Sequence, residues 1–255
     1  MTKPATAPTV SVVLPTYEER DNIGPLIEGV ARHVDQLAEI IVVDDDSPDL
    51  TWQRVAELQR RYAQLRLIRR EGTRGLTTAI QAGIAAATGD VLVWMDCDLS
   101  MGPEVIPSLV AEIRRGCDVA VASRYVPGGA DVRDVYLHRQ LSRVICTVAR
   151  LVLVPSFHDY TSGFIAIRRE VLQEVPLRGD YGEYFIDLIF NSYRLGYSVI
   201  EVPYTLVSRT SGVSKTATNP FGFAIRGRKY LQTILRLRLQ TMVLPPSAPK
   251  KGARR

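Results

Sequence analysis

The chain has 255 residues, 46% of them apolar, and a formal net charge of +5 at pH 7, which suits one domain with a full hydrophobic core. Its three cysteines, Cys97, Cys117 and Cys146, lie far apart, so the composition excludes a secreted disulfide framework and favours a reducing compartment. No run approaches the roughly 18 consecutive apolar residues of a membrane span, and residues 1–8 lack the apolar segment of a secretory signal.

The first half of the chain alternates short apolar runs with amphipathic segments. The runs are rich in Val, Ile and Leu and are typical of buried strands, whereas the segments between them have helical periodicity. We expect Asp21 or Asn22 to cap the first helix. The predicted strands are residues 10–14, 39–43, 65–68, 91–95 and 118–122. The predicted helices are residues 21–34, 51–63, 76–88 and 103–115.

This alternation predicts an α/β fold with a Rossmann-like, mainly parallel sheet and helices on both faces. In such sheets the active site lies beyond the carboxyl ends of the strands. The conspicuous polar clusters of the chain follow predicted strand ends, so we expect them on one rim of the sheet. These clusters are residues 15–19, 44–46, 72–75, 96–98 and 123–125.

The second half of the chain is less regular. Here the predicted elements are a helix at 138–153, a strand near 163–167, an acidic helix at 182–195, a strand at 198–202 and a basic, amphipathic helix at 221–242. The sequence therefore predicts one α/β domain with C-terminal additions. We place its boundaries at a disordered N-terminus (1–8), the α/β domain (9–208), a loop with interfacial helices (209–243) and a disordered basic tail (244–255).

Basic charge is concentrated at the C-terminal end. Residues 202–255 hold 11 of the 32 Lys and Arg residues and no Asp or Glu, whereas the rest of the chain holds all 27 acidic residues. Aromatic residues do not alternate with the basic ones, and no helix-turn-helix or RNA-binding pattern occurs, which disfavours nucleic acid as a partner. Helix 221–242 instead suits a membrane surface, and packing on its own domain is the alternative. We expect a cytoplasmic protein, peripheral on the cytoplasmic face of the membrane.

Asp96 and Asp98 carry the strongest functional signal. They follow an apolar run, and residues i and i+2 of a strand point to the same side. Two carboxylates held this close repel each other unless a cation lies between them, and Mg²⁺ or Mn²⁺ suits oxygen ligands completed by substrate phosphates. A substrate that carries a diphosphate is therefore the first hypothesis, and two solvated loop carboxylates are the alternative.

Six motifs, taken together in order and spacing, define a family resemblance. They are VVLPTYEE (12–19), VDDDSPD (43–49), DCDLS (96–100), ASRY (122–125), DYTSGF (159–164) and EVPY (201–204). In these motifs the chain resembles glycosyltransferase family 2 and, within it, the dolichol-phosphate and polyprenyl-phosphate mannose synthases. The resemblance covers residues 9–240. It implies a GT-A fold, inverting sugar transfer, and a nucleotide-diphosphate sugar held by Mg²⁺ or Mn²⁺ at Asp96 and Asp98.

The resemblance also implies roles for individual residues. The nucleotide-sugar site would comprise Pro15, Tyr17, Glu19, Asp44, Asp45, Asp46, Asp96, Cys97 and Asp98. The lipid-phosphate site would comprise Arg124, Arg139, Ser142, Arg143, Arg209 and Lys215. Catalysis would rest on Asp98, Arg124, Arg209 and Lys215. Carboxylates accept hydrogen bonds from base N–H and ribose hydroxyl groups, whereas the guanidinium fork suits phosphate.

Three positions depart from the family's pattern. Asp46 and Thr77 each stand where the family usually has glycine, and Ser100 stands where some members have a glutamine that helps to ligate the metal. If the backbone at position 46 has a positive φ, Asp tolerates it better than most residues do. The added charge could alter the preference for a base. None of these changes removes a carboxylate that the chemistry requires.

A phosphate acceptor would need no general base, because a phosphate monoester with a second pKa of about 6 is already anionic at neutral pH. The leading hypothesis is transfer of a hexose, expected to be mannose from GDP-mannose, to polyprenyl or dolichyl phosphate. One alternative uses UDP-glucose or another UDP-sugar, or a sugar hydroxyl with Glu183 or Asp187 as base. A non-catalytic nucleotide-sugar-binding scaffold at the membrane is a second alternative. We also expect a membrane-anchored partner protein.

Overall fold

The computed structural model describes residues 7–211 and 220–243. Its strands are β1 (Val10–Thr16), β2 (Leu37–Asp44), β3 (Leu65–Arg69), β4 (Val91–Trp94), β5 (Val119–Ser123), β6 (Ala130–Asp131), β7 (Ile165–Arg168), β8 (Val199–Pro203) and β9 (Thr205–Leu206). Its helices are α1 (Arg20–His33), α2 (Thr51–Leu58), α3 (Leu76–Ala86), α4 (Ile106–Arg114), α5 (Tyr136–Val152), α6 (Arg169–Glu174), α7 (Glu183–Arg194) and α8 (Pro220–Val243). Lys215 and the predicted tail at 244–255 lie outside the described residues.

A seven-stranded sheet in the order β3-β2-β1-β4-β7-β5-β8 forms the centre of the molecule. All neighbouring strands are parallel except β7, which runs antiparallel to β4 and β5. The predicted α/β fold with a mainly parallel sheet is therefore confirmed. Because β7 is reversed, its first residue, Ile165, pairs with Trp94 at the end of β4. The loop before β7 thus reaches the same rim as the carboxyl ends of the parallel strands.

Helices cover both faces of the sheet, as the continuous apolar strands require. Val12 of β1 faces a core that includes Leu26 of α1, whereas its neighbour Val13 faces the opposite core, which includes Ile80 of α3. Gly83 allows α3 to approach closely, because a Cβ atom there would lie 2.3 Å from Cγ1 of Val13. Burial of each such aliphatic side chain stabilises the fold by roughly 1.5–3 kcal/mol.

Several boundaries differ from the sequence predictions. Helix α1 begins at Arg20 with Glu19 in the cap position, not at Asp21 or Asn22, and the Asn22 amide donates a 2.7 Å hydrogen bond to the Glu19 carboxylate. Helix α2 ends at Leu58, because the following residues form the turn that leads into β3. The six-residue helix α6 and the two-residue pair β6 and β9 were not predicted, since such short elements hold too few residues for a periodic pattern.

The amino-end side of the sheet holds a buried carboxylate, Glu39. It accepts hydrogen bonds from Ser11 Oγ (2.8 Å), Thr88 N (2.6 Å) and Thr88 Oγ1 (2.8 Å), and it forms an ion pair with Arg66. Burial alone would raise the pKa of Glu39, but Arg66 and these hydrogen bonds together lower it from 4.5 to about 2. Glu39 therefore links β1, β2 and the segment that leads from α3 into β4.

We expect Glu39→Gln to lower the free energy of unfolding at neutral pH by about 2–3 kcal/mol. A lowered carboxyl pKa stabilises the fold above the unfolded value of 4.5, and this contribution is lost as pH falls from 4.5 to about 2. Urea unfolding of both proteins at neutral pH and near pH 3 measures the effect. The difference in free energy of unfolding between the wild type and Glu39→Gln should be smaller near pH 3 than at neutral pH. Equal free energies at neutral pH would contradict the prediction.

Candidate active site

A cavity of about 670 Å³ opens at the rim where the strands end. Its walls come from the segment after β4, the loop before β7, helix α5, the start of α7 and helix α8. Asp96 and Asp98 lie on one wall, and Ser142 of α5 and Tyr230 of α8 lie on others. The cavity thus joins the acidic pair to the second half of the chain, where the lipid-phosphate residues were predicted.

Asp98 is held in place by its own turn and by an arginine. Its Oδ1 atom accepts hydrogen bonds from Ser100 N (3.0 Å) and Ser100 Oγ (2.6 Å), which close a turn whose middle residue, Leu99, has φ of 61°. Its Oδ2 atom lies 2.9 Å from Nη2 of Arg209. Arg209 therefore stands beside the acidic pair, on the segment that leads out of the small sheet of β6 and β9.

The surroundings of Asp96 disfavour its charged form. It lines the cavity, and the carboxylates of Asp98 and Glu19 are close enough to repel it. Loss of solvation first, and these two negative charges next, raise the pKa of Asp96 from 3.8 to about 7, although Arg209 opposes the shift. A bound cation would relieve this repulsion.

The donor set of this site suits a hard divalent ion. Asp96 and Asp98 supply carboxylate oxygens, the ligand type that Mg²⁺ and Mn²⁺ prefer. Within residues 7–211 and 220–243, no group of three or more His, Cys, Asp and Glu side chains is arranged to hold a metal. The two carboxylates fit an ion whose remaining ligands are water and substrate phosphate oxygens, and their role as metal ligands stays a prediction.

The acidic turn after β2 uses its three carboxylates differently. Asp44 is fully buried and accepts hydrogen bonds from Thr16 Oγ1 (2.9 Å) and from the backbone N (2.8 Å) and Oγ (2.7 Å) of Ser47. Asp45 is buried beside Arg70 and accepts a hydrogen bond from Gly75 N (2.8 Å). These two carboxylates therefore shape the rim.

Asp46 is the most exposed carboxylate of this turn. It has φ of 54°, the positive backbone angle anticipated for this position, and its carboxylate is 2.6 Å from Arg69. The Arg69 guanidinium lies 3.9 Å above the ring of Trp52. If this turn contacts a nucleotide base, Asp46 and Arg69 have the most accessible polar groups.

Pro15 of β1 and the residues after this strand that were assigned to the nucleotide, Tyr17 and Glu19, lie near the same rim. Arg74 covers the Tyr17 ring at 4.5 Å, and the Glu19 carboxylate is buried against Asn22. Pro15 lies within β1, where its carbonyl oxygen accepts a 3.3 Å hydrogen bond from Cys97 Sγ. The Cys97 side chain is buried in the core, so its thiol has a packing role.

Arg124 is enclosed by protein groups. Its Nε (2.8 Å) and Nη2 (2.6 Å) donate to the two oxygens of Asp159, Nη1 lies 3.4 Å from Asp131, and Nη2 donates to Thr161 Oγ1 (2.6 Å). Only 4% of Arg124 is exposed. Burial alone would lower its pKa, but the Asp159 carboxylate keeps that pKa well above the usual value. Arg124 reaches the cavity wall as a permanently charged, tightly held group.

Helix α5 and the segment before it present a different set of residues to the cavity than the resemblance implied. Ser142 lines the cavity together with His138 and Arg133. Arg143 is exposed, and Arg139 lies 5.7 Å from the ring of Tyr136; neither lines the cavity. Arg133 and His138 are not among the residues that the resemblance implied. The spacing of four between His138 and Ser142, which places both on one helical face, was the signal that could have found the histidine.

The alternative bases, Glu183 and Asp187, do not line the cavity. Asp187 is buried, accepts a 3.0 Å hydrogen bond from Asn191 Nδ2 and forms an ion pair with Arg236 of α8. Glu183 accepts a hydrogen bond from Asp180 N (3.2 Å). Burial raises the pKa of both carboxyls. Asp187 thus connects α7 to α8, the arrangement expected if acidic residues of α7 pair with the basic C-terminal segment.

Helix α8 packs on its own domain along one face. Ile234 and Leu237 are buried in the core, and Lys229 forms a 2.5 Å ion pair with Asp180. Its opposite face exposes Leu231, Leu235 and Leu239. No helix among the described residues combines the length and apolarity that crossing a membrane requires.

Comparison with known proteins agrees with this architecture. The family model for glycosyl transferase family 2 matches residues 11–176. A dolichol-phosphate mannosyltransferase from Pyrococcus furiosus is 40% identical over 210 residues, which is 81% of this chain but only 58% of that protein. A polyprenol monophosphomannose synthase from Mycolicibacterium smegmatis is 40% identical over 80% of this chain and 79% of its own length. An undecaprenyl-phosphate mannosyltransferase from Micrococcus luteus is 32% identical over 85% of this chain and 90% of its own length.

Solved structures show the same fold at lower identity. Glucosyl-3-phosphoglycerate synthase from Mycobacterium tuberculosis, crystallised with Mn²⁺, uridine diphosphate and phosphoglyceric acid, aligns with a TM-score of 0.70. It is 22% identical, and the alignment covers 91% of this chain and 78% of that one. The predicted GT-A fold is therefore confirmed. The matched family model and the identity to its members establish that the chain belongs to glycosyltransferase family 2.

Proposed function

We propose that this protein transfers the hexose mannose from GDP-mannose to a polyprenyl or dolichyl phosphate. The transfer inverts the configuration of the sugar carbon. The observation that carries the proposal is the single cavity shared by the Asp96 and Asp98 carboxylates and the cationic and hydroxyl groups of Arg209, Arg133 and Ser142. The carboxylates suit the metal ion of a sugar diphosphate, and the cationic and hydroxyl groups suit a phosphate acceptor. Three relatives that act on polyprenyl-type phosphates, by their names, support this choice of acceptor.

The chemistry requires positioning and charge stabilisation more than proton transfer. The acceptor phosphate attacks as an anion, so it needs alignment with the sugar carbon and relief from repulsion by the donor diphosphate. Arg209, beside Asp98, is placed to contact phosphate oxygens between the two substrates. Asp96 and Asp98 would hold Mg²⁺ or Mn²⁺, which stabilises negative charge on the leaving diphosphate when bound. Lys215 is proposed as a second cation for the phosphates.

The relatives and the solved structures point to different sugar donors. The names of the relatives favour mannose, whereas the M. tuberculosis structure contains uridine diphosphate. Purified protein incubated with Mn²⁺, farnesyl phosphate and labelled GDP- or UDP-sugars, followed by organic extraction, tests the donor and the acceptor together. We expect lipid-linked product with GDP-mannose. If product forms only with a UDP-sugar, that sugar and not GDP-mannose is the donor. The absence of any lipid-linked product would overturn the proposed acceptor.

A hydroxyl acceptor with Glu183 or Asp187 as base is the competing function. We expect the double variant Glu183→Gln, Asp187→Asn to keep at least about half of the wild-type transfer rate, because neither carboxylate lines the cavity. A general base in either position predicts a loss of at least about 10²-fold. Arg236 is half exposed, so loss of its partner should lower stability only by about 1 kcal/mol. Thermal unfolding of the variant provides the folding control.

We also propose that the protein binds the cytoplasmic face of a membrane through α5 and α8. The two helices contact each other and both contribute to the cavity. Their exposed apolar residues are Tyr136, Leu137, Val144 and Leu151 on α5 and Leu231, Leu235 and Leu239 on α8. Basic residues, including Arg143 and Arg238, are exposed on the same helices. Apolar side chains with neighbouring Lys and Arg are typical of a helix in an anionic lipid interface.

Binding to vesicles that contain anionic lipid tests this surface. Leu151 is 80% exposed, and we expect Leu151→Glu to weaken sedimentation with such vesicles by about tenfold. The matched control is Ala56→Glu on the exposed face of α2, which should bind vesicles like the wild type. Raising the ionic strength should release part of the protein, since charge attraction is screened. Equal binding by both variants would contradict the assigned surface.

A further inference from the structure

His138 lies at the end of the cavity where we place the acceptor phosphate, called the acceptor end below and lined by Arg133, His138, Ser142 and Arg209. It lies in the first turn of α5, one turn before Ser142, and both residues line the cavity with Arg133 and Arg209. This places an imidazole among the groups that would surround the acceptor phosphate. An arginine in this position would carry a permanent charge, whereas a histidine makes the charge of this wall dependent on pH.

The arginines of this wall already have carboxylate partners. Asp131 binds Arg133 through Nε (2.9 Å) and Nη2 (2.7 Å), and Asp159 binds Arg124 at 2.6 Å. Arg209 is paired with Asp98. These pairs are close to neutral as a group. An acceptor phosphate with up to two negative charges therefore calls for one more positive charge than the paired side chains supply.

The charged groups facing His138 are Arg133, Arg209 and Asp131, and Asp134 also lines the cavity. Burial, followed by the Arg133 and Arg209 cations, lowers the pKa of His138 below 6.5, and Asp131 opposes the shift only in part. His138 is thus mainly neutral at neutral pH before the acceptor binds. A phosphate beside the ring adds negative charge and favours the imidazolium form.

We propose that His138 is a proton-linked contact for the acceptor phosphate, taking up a proton from solvent as the phosphate enters and returning it after transfer. The inference rests on the proposed polyprenyl phosphate acceptor. The acceptor is a monoester with up to two negative charges, whereas the product is a diester with one. The reaction therefore removes part of the charge that holds the imidazolium. Loss of the proton weakens the contact and favours release of the product.

The first experiment measures KM for farnesyl phosphate and for the donor between about pH 6 and about pH 8.5. The proteins are the wild type, His138→Gln, His138→Arg and the control His33→Gln on α1, whose imidazole bonds the Gly29 carbonyl oxygen away from the cavity. Ionisation of the acceptor itself affects all four proteins equally. The ratio of acceptor KM values between proteins therefore isolates the contribution of position 138.

We expect the acceptor KM of His138→Gln to exceed that of the wild type by about tenfold near pH 6 and to approach it near pH 8.5. His138→Arg should keep a low acceptor KM across this range, and the donor KM should change little. Parallel pH profiles for the wild type and His138→Gln would overturn the inference, even if the variant is uniformly less active.

A second measurement does not depend on turnover. The chain has three histidines, so the His138 ring proton can be assigned in NMR spectra by its loss in His138→Gln. Addition of farnesyl phosphate without donor should raise its titration midpoint by at least about one pH unit, which corresponds to about tenfold tighter binding by the protonated ring. An unchanged midpoint at saturating ligand would overturn the inference. If neither the wild type nor any variant transfers sugar to farnesyl phosphate, the proposed function fails. The titration still decides whether His138 binds phosphate.

Discussion

Asp96→Asn and Asp98→Asn are each expected to reduce sugar transfer by at least about 10³-fold and to leave the fold intact. Both side chains line the cavity, and an amide cannot supply the negative charge that a divalent ion requires. Asparagine at position 98 is preferable to alanine, because its carbonyl oxygen can still accept the two hydrogen bonds from Ser100 that close the turn. Loss of activity then reports on charge and not on an altered backbone.

Metal binding gives this prediction a second readout. Because the pKa of Asp96 is raised to about 7, a proton competes with the metal, and Mn²⁺ affinity should increase as pH rises toward about 7 and then level off. Calorimetry with Mn²⁺ and nucleotide measures this dependence. The variant Asp96→Asn should bind Mn²⁺ weakly at every pH. Asp21→Asn, on the exposed face of α1, is the matched control and should behave like the wild type.

Two results would contradict the metal assignment. One is wild-type activity in either asparagine variant, since both carboxylates are assigned as ligands. The other is unchanged Mn²⁺ affinity accompanied by loss of activity, which would transfer the role of these residues from the metal to the substrate. Circular dichroism and thermal unfolding establish in each case that the variant is folded.

The sequence was sufficient to predict the rim on which the site lies. Apolar strands that are each followed by a polar cluster indicate a parallel sheet. In such a sheet the strands that end at Thr16, Asp44 and Trp94 must have their carboxyl ends near one another. A strand near residues 163–167 was predicted, but the antiparallel direction of β7 could not be, because the direction of a short apolar run is set by its neighbours in space. Its reversal brings Thr161 and Ser162 to the cavity.

The roles of single charged residues depended on contacts that the sequence does not contain. Asp44 is enclosed by a local turn with Ser47, and the partners of Arg124 lie 7 and 35 positions away. On α5, Arg139 and Arg143 have the expected chemistry but lie outside the cavity lining, where His138 and Ser142 are found. A helical wheel identifies faces, but tertiary packing decides which face meets the cavity.

The buried pair of Arg124 and Asp159 should be the most sensitive point of the fold near the cavity. We expect Arg124→Met and Asp159→Asn each to lower the free energy of unfolding by about 3–5 kcal/mol, because each leaves a buried charge without its partner. Arg124 is 4% exposed and Asp159 is fully buried, so water cannot replace the lost contact. Urea unfolding of the two variants and of the double variant measures the coupling between the two residues.

The double variant separates a structural role from contact with phosphate. If Arg124 acts mainly by holding Asp159, Asp131 and Thr161, the double variant should be destabilised by less than the sum of the single variants. Its acceptor KM should then rise only modestly at temperatures where it is folded. If Arg124→Met instead retains wild-type stability and loses transfer, the guanidinium acts on phosphate directly. In that case Asp159 positions a substrate-binding arginine, and the charge at the acceptor end of the cavity comes from Arg124 as well as from His138.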